Sequence, residues 1–135
     1  MGAKQGAPPA AELDTMPAVV RGAMATGAFG LATALIYPPD NFSTTEQLIE
    51  LARAMSPYDR VYITHMRSEA DRFLEPLDEA IRIGRDGGVP VEVYHVKAAG
   101  RRNWPEIPAA IAKIDSTRAA GIDVQANIYH ANPPY

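Results

Sequence analysis

Apolar positions along this chain alternate between a helical spacing and short runs of β-branched and aromatic residues. From about Ala10 to Thr26, the residues Leu13, Met16, Val19, Val20, Ala23 and Met24 recur at three- and four-residue intervals, which predicts an amphipathic helix ending at Gly27. Pro17 lies inside that pattern and suits a helix that starts there. "GAFGLATALIY" then reads as a buried strand stopped by Pro38 and Pro39. In "STTEQLIELARAM", Ser43 and Glu46 stand at capping-box spacing, and Leu48, Leu51, Ala52 and Met55 supply the apolar face. "RVYITH" is a second strand. "SEADRFLEPLDEAIRIGRDGG" is a helix closed by Gly87 and Gly88, with Leu74, Leu77, Ile81 and Gly84 inward. "VPVEVYHVK" is a third strand, and "NWPEIPAAIAKIDSTRAAG" a helix with Pro105 near its first turn and Gly121 at its end. "IDVQANIYH" is the last strand.

Strict alternation of helix and strand implies an α/β fold with a parallel sheet and right-handed crossovers. Strand starts near 28, 61, 89 and 122 recur at the length of a βαβ unit. About four βα units make either a small doubly wound sheet or a partial (β/α)8 TIM-type barrel; a whole barrel takes roughly 250 residues. Residues 1–9 read as a flexible lead-in, and 10–135 as one barrel-type unit.

The 135-residue length suits one domain, and 47% hydrophobic with 21% charged residues is an ordinary globular composition. Thirteen basic against sixteen acidic residues leave a net charge of −3, which argues against a nucleic-acid or anionic-membrane partner. The chain has no cysteine, which excludes disulfides, thiolate zinc sites and a thiol nucleophile and fits a reducing, cytoplasmic location. "MGAKQG" has Gly6 where a myristoylation signal needs Ser or Thr, and "GAPPAAELD" is no signal core. The apolar stretch from Met16 to Tyr37 is interrupted by Arg21 and three glycines, so no membrane segment is expected.

Two of the three histidines, His65 and His95, follow β-prone runs and stand 95 − 65 = 30 residues apart. That is one βαβ repeat, with a histidine at each strand tip. Neighbouring strands lie about 4.8 Å apart, so such side chains can converge on one ion. Carboxyl ends of parallel strands are also where α/β folds place their chemistry. Neutral imidazole suits zinc, although a strand-end histidine can equally just cap a carbonyl, and a catalytic zinc usually takes three protein ligands. Arg67 and Glu69 would either orient His65 or form a salt bridge at a helix start. Arg101 and Arg102 offer an anion clamp or a loop brace, and Trp104 reads as loop packing. Lys97 is a solvated loop lysine or an anchor for a carboxylate.

The segments "GAFGLATALIYPP", "YITHMRSEADRFLEPLDEAIRIG", "VPVEVYHVKAAGRRNWPEIPAAIAKI" and "GIDVQANIY" resemble the N-acyl-D-amino-acid deacylases (D-aminoacylases) of the amidohydrolase superfamily, from about Ala10 to Tyr129. The resemblance implies a zinc-dependent barrel hydrolase that cleaves N-acyl-D-amino acids to a carboxylate and a D-amino acid. It matches His65 and His95 to metal ligands on the family's fifth and sixth strands. Lys97 then falls where the substrate carboxylate is held. Tyr37, at the end of the fourth strand, falls in the substrate pocket. In such enzymes the metal polarises the amide carbonyl and brings the pKa of its water to about 7, and an aspartate serves as base.

The chain also departs from the family. It has no HxH motif and no cysteine ligand, and it stops where the seventh strand ends, before the aspartate expected on the eighth. Asp123 precedes the seventh strand and is no substitute, and His130 replaces part of the family's "YPYTAG" as an incidental residue. The expectation is therefore a central barrel piece with no catalytic residue of its own, inactive alone and self-associating through its open edges. The alternatives are a non-catalytic α/β fragment with vestigial histidines, or another amidohydrolase such as a cyclic-amide hydrolase, against which "YHVKAAGRRNW" speaks.

Overall fold

Helix α1 (Ala10–Ala25) runs through Pro17 instead of starting there, and the computed structural model of the chain, which describes residues 9–128, places seven further regular elements after it. They are β1 (Gly30–Ala34), α2 (Thr45–Met55), β2 (Val61–His65), α3 (Leu74–Gly87), β3 (Val91–Val93), α4 (Ile107–Ala119) and β4 (Val124–Ala126). His130 lies outside the described residues. On α1, Val20 and Met24 are buried and Met16 is half-buried, whereas Val19 is exposed, so the buried stripe is narrower than the sequence pattern.

Local chemistry moves several boundaries from where the pattern puts them. The cap of α2 is Thr44, not Ser43: Thr44 Oγ1 accepts the Gln47 N–H at 3.2 Å and Gln47 Oε1 accepts the Thr44 N–H at 2.9 Å. Ser43 is taken already, its N–H donating to Asp40 O at the close of a 3-10 turn. Helix α3 begins only at Leu74, which keeps Pro76 within the first turn, where a missing N–H has no intrahelical partner to lose. Gly88 ends it in the left-handed region, and Val89 N–H returns to Gly84 O. Helix α4 starts with Pro108 near its N-terminus, while Pro105 belongs to the preceding 3-10 turn, Arg101–Glu106.

All strand pairs are parallel, in the order β1-β2-β3-β4. A doubly wound sheet reverses its strand order at a switch point. Here no reversal occurs, and consecutive helices pack side by side, α1 on α2, α2 on α3 and α3 on α4. The winding is thus of barrel type. The core lies between these helices and one sheet face, where Tyr62, Val91, Val93 and Val124 meet Leu48, Met55, Phe73, Leu77 and Ile83. Burying one such side chain fully is worth about 1.5–3 kcal/mol. The other face is only half covered, as the alternating burial of β2 shows, with Tyr62 and Thr64 buried and Val61, Ile63 and His65 intermediate. β1 is not the buried strand of the sequence reading. Among the described residues it is an edge, half-buried except at the exposed Ala32 and preceded by Phe29 at 88% exposure.

Helix α3 approaches β3 through Gly84, where an added Cβ would overlap Val91 Cγ2. Gly84→Ala should therefore destabilise the chain by about 1–3 kcal/mol in urea unfolding. Gly22→Ala, in α1 with nothing near its Cβ position, should instead be neutral or stabilise by up to about 1 kcal/mol.

Candidate functional site

The two-residue pleat of β2 decides which way His65 faces. Tyr62 and Thr64 turn toward the helices, where Thr33 Oγ1 lies 2.8 Å from Tyr62 Oη and donates to Thr64 Oγ1 at 2.9 Å. Burial raises the Tyr62 phenol pKa, so this hydroxyl cluster stays neutral. His65, of opposite parity, ends the strand on the open face.

His95 reaches the same place by a different route. Thr64 is in register with Val93, and the Tyr94 N–H donates to Thr64 O at 3.0 Å, so Tyr94 is the level neighbour of His65. His95 is one residue further on, outside β3, where a continued pleat would face it away. Its backbone instead turns left-handed, with φ at 37°. A non-glycine residue in that region is disfavoured by about 1–2 kcal/mol. Asn127 holds the turn: its Oδ1 accepts the His95 N–H at 2.7 Å, its Nδ2 donates to Glu92 Oε1 at 2.7 Å, and its backbone bonds Val93 and Val96. The imidazoles of His65 and His95 consequently meet edge to face, with ring centroids 4.4 Å apart.

Glu69 comes from the turn after β2 and is buried. Its Oε1 lies 3.1 Å from His95 Nδ1, 3.5 Å from His65 Nε2 and 2.5 Å from Lys97 Nζ. Lys97 Nζ is also 3.1 Å from His95 Nδ1. The backbone oxygen of Glu69 accepts the Ala99 N–H at 2.6 Å, so main chain and side chain both hold the loop that carries His95 and Lys97. Burial lowers the His65 pKa, opposed by the Glu69 carboxylate and assisted by the charges of His95 and Lys97, which keeps this imidazole neutral at neutral pH. Its Nε2 is buried with no hydrogen-bond partner among the described residues.

These groups fit a metal ion. One atom each from His65, Glu69 and His95 lies within 4.8 Å of the others. Tetrahedral zinc with bonds of about 2.0–2.1 Å sets its ligand atoms about 3.3 Å apart. The separations of 3.1 and 3.5 Å about Glu69 Oε1 bracket that value. An orphaned imidazole nitrogen and a nearby carboxylate are donors that zinc accepts. From the sequence, Glu69 is expected only to orient His65 or to form a salt bridge at a helix start. No spacing rule shows that it reaches both histidines, since half its contacts are made to another strand's loop.

The remaining sequence candidates fall into two groups. Tyr37 stands three residues beyond β1, not at the strand end, with its ring centroid 5.5 Å from that of His65 and its side chain exposed. A depression of about 450 Å³ opens beside His65, lined by Ala32, Ala34, Asp40, Tyr94 and His95 among others. Asp40 has a structural task there, as its Oδ2 accepts the Ala34 N–H at 2.8 Å. Away from the site, Arg102 pairs with Asp71, and the Arg101 guanidinium lies 5.8 Å from the ring centroid of the exposed Trp104. Both arginines make loop contacts within the chain.

A parallel sheet wound in one direction, with metal-binding side chain types at its carboxyl ends, defines a barrel-type α/β chain that carries a candidate metal site. Known proteins agree. The D-aminoacylase of Alcaligenes xylosoxydans xylosoxydans is 40% identical over 111 residues, 77% of this chain and 23% of that protein. The structure of N-acyl-D-glutamate deacylase from Bordetella bronchiseptica, complexed with zinc and a phosphonate mimic of the tetrahedral intermediate, matches with a TM-score of 0.90 and 35% identity, covering 96% of this chain and 27% of that one. A D-aminoacylase solved to define the role of its binuclear metal centre matches with a TM-score of 0.89 and 34% identity, over 96% of this chain and 27% of that one. No protein-family model matches the chain. The chain is thus homologous to a segment of the D-aminoacylases, and it spans about a quarter of the length of the relatives it matches.

Arg67 does not touch His65, contrary to the orienting role open to it in the sequence. Its guanidinium forks onto Glu79 at 2.9 and 3.0 Å and donates to Asn41 O and Ser43 O, both at 2.9 Å. It thereby ties the loop after β1 to α3, and Thr45 Oγ1 adds a bond to the same carboxylate at 2.8 Å. The Glu79 carboxylate and its hydrogen bonds raise the Arg67 pKa. Arg67→Ala leaves Glu79, 12% exposed in its side chain, without its cation, and should cost about 2 kcal/mol in urea unfolding.

Proposed function

We propose that this chain forms one wall of the active site of a zinc-dependent hydrolase that cleaves N-acyl-D-amino acids to a carboxylate and a D-amino acid. The observation that carries this reading is the meeting of His65 and His95 on the open face at the strand ends. Support comes from similarity to a deacylase solved with zinc and an intermediate mimic. His65 Nε2 and His95 Nδ1 would hold the ion, which when bound supplies Lewis acidity at the amide carbonyl and a water acidified toward neutral pH.

The other residues position the substrate. Lys97 offers its ammonium to the substrate carboxylate, and its Nζ lies beside His95, so an anion held there sits next to the metal ligands. Tyr37, whose ring lies 5.5 Å from that of His65, would line the substrate side of the site, and the depression beside His65 would admit the acyl group or side chain. No general base is assigned among the described residues. Asp40 is engaged by the Ala34 N–H and Glu69 by Lys97. Turnover by this chain alone is therefore not expected.

Zinc analysis of the purified chain tests the reading. The expected result is one tightly held zinc ion, lost in both His65→Ala and His95→Ala. Zinc retained by both variants, or none bound at micromolar concentration, would refute the assignment.

Self-association belongs to the same reading. β1 and β4 are the sheet's edges among the described residues, and Phe29 and Ile128 are 88% and 78% exposed. Sedimentation should show weight-average mass rising with concentration. A monomer at every concentration, with a sharp cooperative melt, would count against it.

A further inference from the structure

The tip of β3 is held by a residue from the end of the neighbouring strand. Asn127 follows β4 directly, and its backbone N–H donates to Val93 O at 3.1 Å while its backbone oxygen accepts the Val96 N–H at 2.8 Å. Between those two bonds its side-chain Oδ1 accepts the His95 N–H at 2.7 Å. We propose that Asn127 is a positioning residue of the metal site: it holds His95 in the backbone conformation that turns the imidazole to His65, and it links that conformation to the docking of β4. This rests on zinc binding by His65 and His95, and it adds a residue outside the set that holds the ion.

The side chain, not the backbone, carries the role. Any residue at position 127 could make the two backbone bonds, but the His95 N–H needs a side-chain acceptor. The amide also has a single workable orientation. Its Nδ2 donates to Glu92 Oε1 at 2.7 Å, and since a carboxylate only accepts and a backbone N–H only donates, the amide oxygen must face His95. Glu92 lies on β3 itself, in register with Gln125 of β4, so Asn127 clamps the turned end of the strand to its body. The turn needs a clamp because His95, at φ 37°, occupies a region disfavoured for residues with a Cβ. With its N–H unsatisfied, the extended conformer gains, and that conformer carries the ring toward the opposite face. Only the turned fraction of molecules then presents both imidazoles to an ion, and apparent affinity falls by that fraction. Linkage is reciprocal. An ion that selects the turned conformer also tightens β4, whose ladder with β3 has three residue pairs.

The test uses the full chain with zinc as the probe. In competition with a chromophoric chelator, Asn127→Ala should bind zinc about tenfold more weakly than the wild type. Asn127→Asp keeps the acceptor but sets two carboxylates against each other, and should also weaken binding. Adding Glu92→Gln to it restores both bonds with donor and acceptor exchanged between positions 92 and 127, and affinity should return to within about twofold of the wild type. Gly84→Ala, which loosens α3 against the amino end of β3, should leave zinc affinity unchanged. Amide exchange followed by NMR reads the turn directly. Without zinc, the His95 N–H should exchange several-fold faster in Asn127→Ala, and zinc should slow the Val96 and Asn127 amides of the wild type several-fold. Suppose the wild type binds zinc through both histidines. If Asn127→Ala then binds as tightly, the double variant shows no recovery, Gly84→Ala weakens binding as much, or zinc leaves those two amides unchanged, the proposal is overturned while the zinc reading stands. If the wild type binds none, the zinc reading fails and the His95 amide decides alone: faster exchange in Asn127→Ala supports the positioning of His95, and unchanged exchange overturns that as well.

Discussion

The left-handed turn at His95 is the constraint on which the site depends. Parallel strands in register bring side chains of equal level to the same face, and for His65 that level neighbour is Tyr94. A histidine one residue later would continue the pleat onto the opposite face. The positive φ at His95 breaks the alternation, and β3 ends early at Val93 to permit it. Asn127, beyond β4, satisfies the His95 N–H and stitches Val93 and Val96 to its own backbone. Two imidazoles therefore meet because the segment after β4 holds the tip of β3. Tyr94, displaced outward by the same turn, stacks against the His95 ring at 5.9 Å.

Winding in one direction gives that turn its setting. Because all four helices cover the same face, the other face keeps half-buried side chains and a polar link from Glu92 to Asn127. Carboxyl ends on that face are thus accessible to a ligand, while Thr33, Tyr62 and Thr64 close the helix side with hydroxyl bonds and exclude charge from it. The similarity to deacylase structures at a TM-score of 0.90 shows that the same strand arrangement recurs within larger chains, where this segment makes up 27% of the length.

Much of this was legible in the sequence because it follows from local periodicity. The alternation of helices and strands, the parallel sheet and the thirty-residue spacing of His65 and His95 all rest on patterns within single βαβ units. What was not legible depends on neighbours distant in sequence. Val19 satisfies the helical pattern yet faces solvent, because among the described residues α1 packs along Met16, Val20 and Met24. Thr44 displaces Ser43 as a cap because a preceding turn already uses the Ser43 N–H. Arg67 looks like a partner for His65 at two residues' distance, but it lies in the bend after β2, where its guanidinium reaches Glu79 and the backbone of the loop after β1. Asn127 carries no motif at all, and its importance appears only when β4 lies beside β3.

Charge balance ties the site residues into one unit. Arg67 and Glu79 neutralise each other on the helix side, leaving Glu69 and Lys97 as the ionised pair beside two histidines, one of them held neutral by burial. That group of four is close to neutral as it stands. A divalent ion entering it would raise the local charge to about +2, which an anionic substrate would partly cancel; a site so arranged favours a ligand with a carboxylate over its amide or ester. This view explains why Glu69 is buried. An exposed carboxylate would be screened by water and ions, whereas one enclosed by His65, His95 and Lys97 fixes how many positive charges the site can hold.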